Sequence, residues 1–188
     1  MDRRAFFRRG LGKVTEVAVK AVDKRASEKA KHWIRPPYAK TELDFLLSCT
    51  RCNACIEACP HNIIFPLAAR LGADVVNTPA LDLLKKGCSL CEGWPCVNAC
   101  EANALVLSEA DEDGHINIPK FAAAEIDTDT CLPYSGPECG ACGSACPIKG
   151  ALIFERERPT INMEHCIGCA LCRDVCIVED KAINIKPL

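Results

Sequence analysis

Sixteen of the chain's 188 residues are cysteine, and they stand in four tight groups of four. The first group reads Cys49-x2-Cys52-x2-Cys55-x3-Cys59-Pro60. The fourth repeats it as Cys166-x2-Cys169-x2-Cys172-x3-Cys176, with Ile177 in place of the proline. The second, Cys88-x2-Cys91-x4-Cys96-x3-Cys100, is expanded by two residues and carries Gly93, Trp94 and Pro95. The third, Cys131-x7-Cys139-x2-Cys142-x3-Cys146-Pro147, sets its first thiol back behind a loop with Pro133, Gly136 and Pro137. Cysteines three apart on a loop that curls around a cubane each reach a different iron, and the fourth, heading a helix that leads away, reaches the other cluster of a pair. Proline directly after that fourth thiol suits a helix start. At four thiolates per cubane, sixteen cysteines imply four [4Fe–4S] clusters with none left over. With every iron saturated, none is open to bind substrate, which points away from catalysis at a cluster.

Two other uses of cysteine fit less well. Disulfides are the rule in small secreted chains, but neighbours two residues apart on a tight loop converge on one metal better than they pair with distant partners. Structural zinc also takes four thiolates, usually from two C-x2-C knuckles set well apart. Here three thiols arrive at two-residue spacing and a fourth follows after three, twice over. The four histidines, His32, His61, His115 and His165, form no metal-ligand or nucleophile arrangement, although His61 and His165 lie beside cluster ligands. No phosphate-cradling glycine loop is present, so flavin or nicotinamide would sit on another subunit. A formal net charge of −2 names no nucleic-acid partner, and no run of 18 or more uncharged apolar residues predicts a transmembrane segment.

The expected organisation is α+β: two bacterial-ferredoxin-like 2×[4Fe–4S] modules over residues 36–188, with an N-terminal amphipathic helical arm over residues 1–35. In the arm, Phe7, Leu11, Val14, Ala18 and Ala21 recur at helical steps, and Arg35-Pro36-Pro37 ends the helix. A basic amphipathic segment outside the cysteine region is expected to dock a partner or a neighbouring copy, with a helix laid across its own domain and binding to a membrane surface as the alternatives. Arg3-Arg4-Ala5-Phe6-Phe7 looks like a twin-arginine export signal, but Lys13, Glu16, Lys20, Asp23 and Lys24 interrupt the apolar region that should follow. The expectation is therefore a cytoplasmic protein, with a periplasmic one as the alternative. Apolar runs at residues 104–107, 151–154 and 182–185 read as strands, as do 116–118 and 160–162. Residues 66–87 read as more helical, and Asp113-Gly114 as a hairpin turn.

The order of these motifs resembles the ferredoxin-type proteins called MauM/NapG. The likeness runs from Arg35-Pro36-Pro37 through Phe45-Leu46-x2-Cys49-x2-Cys52-x2-Cys55 and Cys88-x2-Cys91-x4-Cys96 to the split third group. The four-cluster plan is also similar to the iron–sulfur subunits of molybdenum and tungsten oxidoreductases, including bacterial aldehyde oxidoreductase. The resemblance implies that motifs one and four form one module (49–59 with 166–176) and motifs two and three the other (88–100 with 131–146). It would put Cys49, Cys52, Cys55 and Cys176 on one cluster and Cys166, Cys169, Cys172 and Cys59 on its partner. Cys88, Cys91, Cys96 and Cys146 would hold a third, and Cys131, Cys139, Cys142 and Cys100 a fourth. The implied wire runs through motifs one, four, three and two. The implied function is a non-catalytic relay of single electrons between a tungsto- or molybdopterin catalytic subunit and a flavin- or quinone-linked redox subunit or carrier. A periplasmic quinol-dehydrogenase ferredoxin and a maturation factor for a molybdoenzyme are the alternatives.

Overall fold

The computed structural model describes residues 19–110 and 116–188. Helix α1 covers residues 19–30 and leaves Val19 and Val22 more than half exposed. It is tied to the body by an ion pair between Lys29 and Asp74 at 2.7 Å. Most of the expected amphipathic stripe, Phe7 to Ala18, lies outside the described residues, as does the Asp113-Gly114 turn. The body begins earlier than expected. Trp33 and Ile34 are buried, and Ile34 pairs antiparallel with Leu81, so the arm ends before residue 35.

Two modules follow one another along the chain. In the first, α2 (Glu42–Ser48) delivers the first cysteine group, and the one-turn helix α3 (Ala54–Glu57) runs through its third thiol. Strand β1 (Ile64–Pro66) pairs antiparallel with β2 (Pro79–Leu81), and the second group then runs into α4 (Pro95–Asn98). An antiparallel bridge between Ala39 and Leu105 closes the unit. The second module opens with β3 (Ala123–Ile126) and α5 (Leu132–Ser135). Strand β4 (Leu152–Glu155) pairs with β5 (Arg158–Ile161), α6 (Leu171–Asp174) carries the end of the fourth group, and β6 (Ile183–Lys186) returns to pair with β3. Each module thus has a central hairpin between two cysteine groups and an outer pair made from its two ends.

This topology corrects the expected modules. Groups one and two share one module and groups three and four the other, because each half closes its outer pair before the next half begins. The helix expected over residues 66–87 is a single 3₁₀ turn (Ala69–Leu71) and strand β2, since Pro66, Gly72 and Pro79 interrupt it. Residues 104–107 and 116–118 make single bridges, Leu105 to Ala39 and Ile116 to Ala110, rather than strands. The strands expected at 151–154, 160–162 and 182–185 are present within a residue or two.

One apolar core crosses the junction. Ile64, Leu81 and Leu83 from the first module pack with Phe121, Ile167 and Ile185 from the second. The modules are held as core rather than as touching surfaces. Among the described residues, no helix is long and apolar enough to cross a membrane.

Candidate metal centres

All sixteen cysteines are free thiols, and the fold gathers them into four quartets. Cys49, Cys52, Cys55 and Cys100 line one cavity, walled by Phe45, Pro79 and Leu105. Cys59, Cys88, Cys91 and Cys96 line a second, walled by Ile64, Leu81 and Trp94. The thiols close enough to raise Cys142 are Cys131, Cys139 and Cys176. Those that raise Cys172 are Cys169, Cys166 and Cys146. Every group therefore keeps three of its thiols and lends its last to the other group of its module. The crossing expected from the C-x3-C spacing is present, but its partners are corrected. Cys100 joins the first group where Cys176 was expected, and Cys59 joins the second where Cys146 was expected. Cys176 joins the third and Cys146 the fourth.

The quartets fit an inorganic cluster better than a single ion. Each of the two cavities is ringed by four thiols, the ligand number that one cubane takes. Among the described residues, no three metal-binding side chains converge closely enough for one ion; the thiols surround a space. The main chain is shaped for an anion as well. Arg51, Leu90 and Gly168, each directly before the second thiol of its group, have left-handed φ of 60°, 49° and 81°. Asn53, Trp94 and Ala170 cap the following helices in the same region. Alternation of left- and right-handed residues turns successive N–H groups inward, the concavity that many iron–sulfur sites use. Accordingly the amides of Ala54, Leu90 and Leu171 point at Cys52, Cys88 and Cys169 and favour their thiolates.

Burial works the other way. It pushes the thiols of Cys55, Cys88 and Cys172 up to about 12, and those of Cys96, Cys142 and Cys169 up to about 11, with neighbouring cysteines adding to the rise. Thiols held that high stay protonated near neutral pH, so the fold asks for a cation to displace the proton. Cys52 differs. It is exposed, and hydrogen bonds from the Ala54 amide and Thr50 hold its thiol below the ordinary value.

Neighbouring quartets follow one another in a fixed order. Cys55 of the first lies beside Cys96 of the second, Cys88 of the second beside Cys169 of the fourth, and the crossed thiols Cys146 and Cys176 tie the fourth to the third. The sequence along the molecule is one, two, four, three, which corrects the expected one, four, three, two. His61 lines the second cavity, whereas His165 faces Gly150.

A polar clamp not anticipated from the sequence braces the first quartet. Arg35 donates to Glu42 through Nε (2.9 Å) and Nη2 (2.6 Å), and through Nη1 to the Thr78 hydroxyl and the Pro79 carbonyl, both at 2.8 Å. Its guanidinium stacks on Phe45, 4.6 Å from the ring centre, and Phe45 forms the cavity wall. In the sequence Arg35 stands out as part of a helix stop and of the family likeness; its seven-residue spacing from Glu42 gives no local sign of the pair.

Comparison with known proteins agrees with these centres. Residues 123–177 match the 4Fe-4S dicluster domain family, which spans groups three and four together. Residues 47–65 match the 4Fe-4S binding domain family. The chain is 33% identical to the methylamine utilization ferredoxin-type protein MauM of Methylobacillus flagellatus, over 82% of this chain and 68% of that protein. It is 32% identical to the ferredoxin-type protein NapG of Haemophilus influenzae, over 82% of this chain and 59% of that protein. It is also 32% identical to the ferredoxin-type protein NapF of Escherichia coli, over 80% of this chain and 84% of that protein. No solved structure matches. Two ferredoxin-type modules with crossed thiol quartets, and this kinship across most of the chain, make it an iron–sulfur electron-transfer protein of the MauM/NapG ferredoxin-type family.

Proposed function

We propose that the chain relays single electrons through four [4Fe–4S] clusters, one per thiol quartet, between a catalytic subunit and a second redox subunit or carrier. The observation that carries this reading is the unbroken line of quartets, one, two, four, three, in which the modules meet at Cys88 and Cys169. Each cluster, when bound, supplies a one-electron couple whose potential depends on burial and on hydrogen bonds to sulfur. The chain's own residues do the rest. Cys52 brings the first quartet to the surface, where a donor or acceptor can approach. Phe45, Trp94 and the shared core keep water from the interior. The amides of Ala54, Leu90 and Leu171 hold thiolate charge in place.

The partner we favour is a tungsten or molybdenum enzyme such as an aldehyde oxidoreductase, working in the cytoplasm. A relay with saturated clusters needs its substrate chemistry on another chain. Purification with native partners tests this. A pterin-containing chain that copurifies and loses turnover with its natural acceptor when this chain is omitted supports the relay. A chain that purifies alone from its native source contradicts it. The second reading is a maturation factor, supported by the similarity to NapF over most of that protein; undiminished turnover of the assembled enzyme without this chain favours it. Cell fractionation separates the cytoplasmic placement from a periplasmic one.

A further inference from the structure

The modules meet at a point where there is no room for a side chain. A β-carbon on Gly87 would lie 2.8 Å from the Leu171 nitrogen and 2.9 Å from the Ala170 carbonyl carbon. Both atoms are main chain and cannot rotate away. Gly87 does not have a left-handed φ, so conformational freedom is not what glycine supplies here; close approach is. One residue later the Cys88 amide donates to the Cys169 carbonyl at 2.7 Å. The contact is fastened at its flank by Arg173, whose guanidinium reaches the Leu84 carbonyl of the first module (3.5 Å) and the Ile183 carbonyl of the second (2.5 Å). Cys88 and Cys169 belong to different quartets and different modules. From sulfur to sulfur the connection runs through the Cβ and Cα of each residue and crosses between modules over one hydrogen bond.

We propose that Gly87 is a positioning residue that sets the gap between the two inner clusters, and that the Cys88–Cys169 main-chain contact is the crossing by which electrons pass between modules. This rests on the four-cluster reading above but not on the identity of any partner. A Cβ closer than 3.0 Å to main chain forces a shift, and the shift falls between the modules rather than inside either, so each pair of quartets keeps its own geometry. Gly140 supplies the control: it also neighbours a cluster thiol, Cys139, and a β-carbon there meets nothing within 4 Å.

The experiment compares the full chain with its Gly87→Ala and Gly140→Ala variants, each with iron content measured first. The readout is the spin–spin splitting of the fully reduced protein in EPR, together with the rate at which the two modules equilibrate after a rapid pulse of reductant. The expected result is full iron in all three, unchanged signals within each module, and a weaker inter-module splitting with several-fold slower equilibration in Gly87→Ala alone. Full iron with unaltered splitting and rate in Gly87→Ala overturns the proposal. If Gly87→Ala does not load its clusters, the unaltered chain decides. Its inter-module splitting must vanish when either Cys91 or Cys166 is replaced by serine and persist when Cys52 or Cys139 is replaced. Any other pattern places the crossing elsewhere and overturns the inference. A chain that shows this splitting and yet is dispensable for turnover retains the crossing while losing the relay function.

Discussion

The two modules share a plan and hold it by different means. The second is stitched by strands: four residue pairs join β3 to β6, and four join β4 to β5 across the two-residue turn Arg156-Glu157. The first has only the Ala39–Leu105 bridge where the second has its β3–β6 ladder, and its β1–β2 hairpin opens into the long loop of residues 67–78. What replaces the missing ladder is a buried ion pair. Arg35 and Glu42, with side chains 9% and 6% exposed, gather the Thr78 hydroxyl and the Pro79 carbonyl from the far end of that loop. Backbone ladders hold one cluster pair and one guanidinium organises much of the other, so single substitutions should strike the modules unequally.

The largest effect expected is in the second module. A β-carbon on Gly168 would lie 2.2 Å from the Ala122 carbonyl oxygen, at a φ of +81° that disfavours side chains. Gly168→Ala should prevent that module from assembling, with iron content falling to that of the first module alone; full iron would break the comparison. Next comes the clamp. Arg35→Met leaves Glu42 buried and unpaired, at a cost of about 3–5 kcal/mol, and should release iron from the first module on mild heating before the second. Pairing it with Glu42→Leu should restore much of the loss, since a well-packed apolar pair is often neutral against a buried ion pair. Calorimetry of the single and double variants measures both.

A smaller gain is available in the β4–β5 turn. Arg156 and Glu157 have φ of 49° and 67°, the left-handed region that two-residue hairpin turns demand and that asparagine and glycine meet more easily. Glu157→Gly should stabilise the chain by about 1 kcal/mol, raising its melting temperature by about 2–4 °C. The cluster-free chain offers the mildest probe. Cys52 should alkylate first near neutral pH, because its thiol is exposed and held low. Cys55 and Cys88, raised to about 12 by burial, should react last. Their protons are held more tightly in the fold than in the unfolded chain, so their contribution to stability is present below the ordinary thiol value near 9.0 and is lost as pH rises from there towards 12. Equal alkylation rates across the thiols would contradict this burial pattern.

The cysteine spacings made the local chemistry legible. Three thiols on a curling loop and a fourth leading away are determined by residues in immediate succession, and the structure keeps that division in all four groups. Which group answers which was not legible. The choice depends on whether Ala39 meets Leu105 and Ala123–Ile126 meets Ile183–Lys186, pairings between segments some sixty residues apart whose own sequences do not name their partners. One signal was there to be read: each half contains a group, a short apolar run and a second group, so an internal repeat of two equal halves pairs neighbours rather than ends. The strands β4, β5 and β6 were visible as apolar runs, whereas β1 and β2 are three residues each and contain Pro66 and Pro79, which mask them. The Arg35 clamp is masked in the sequence because proline at the next two positions signals helix termination.

The central claim is that thiols cross within each half of the chain, and exchanging single ligands tests it most directly. Cys100→Ser and Cys176→Ser, each made in the full-length protein, are compared by EPR with Cys52→Ser and Cys139→Ser. Cys100→Ser should perturb the same cluster as Cys52→Ser, and Cys176→Ser the same cluster as Cys139→Ser. If Cys176→Ser instead reproduces the spectrum of Cys52→Ser, the first and fourth groups share a module and the arrangement described here is wrong.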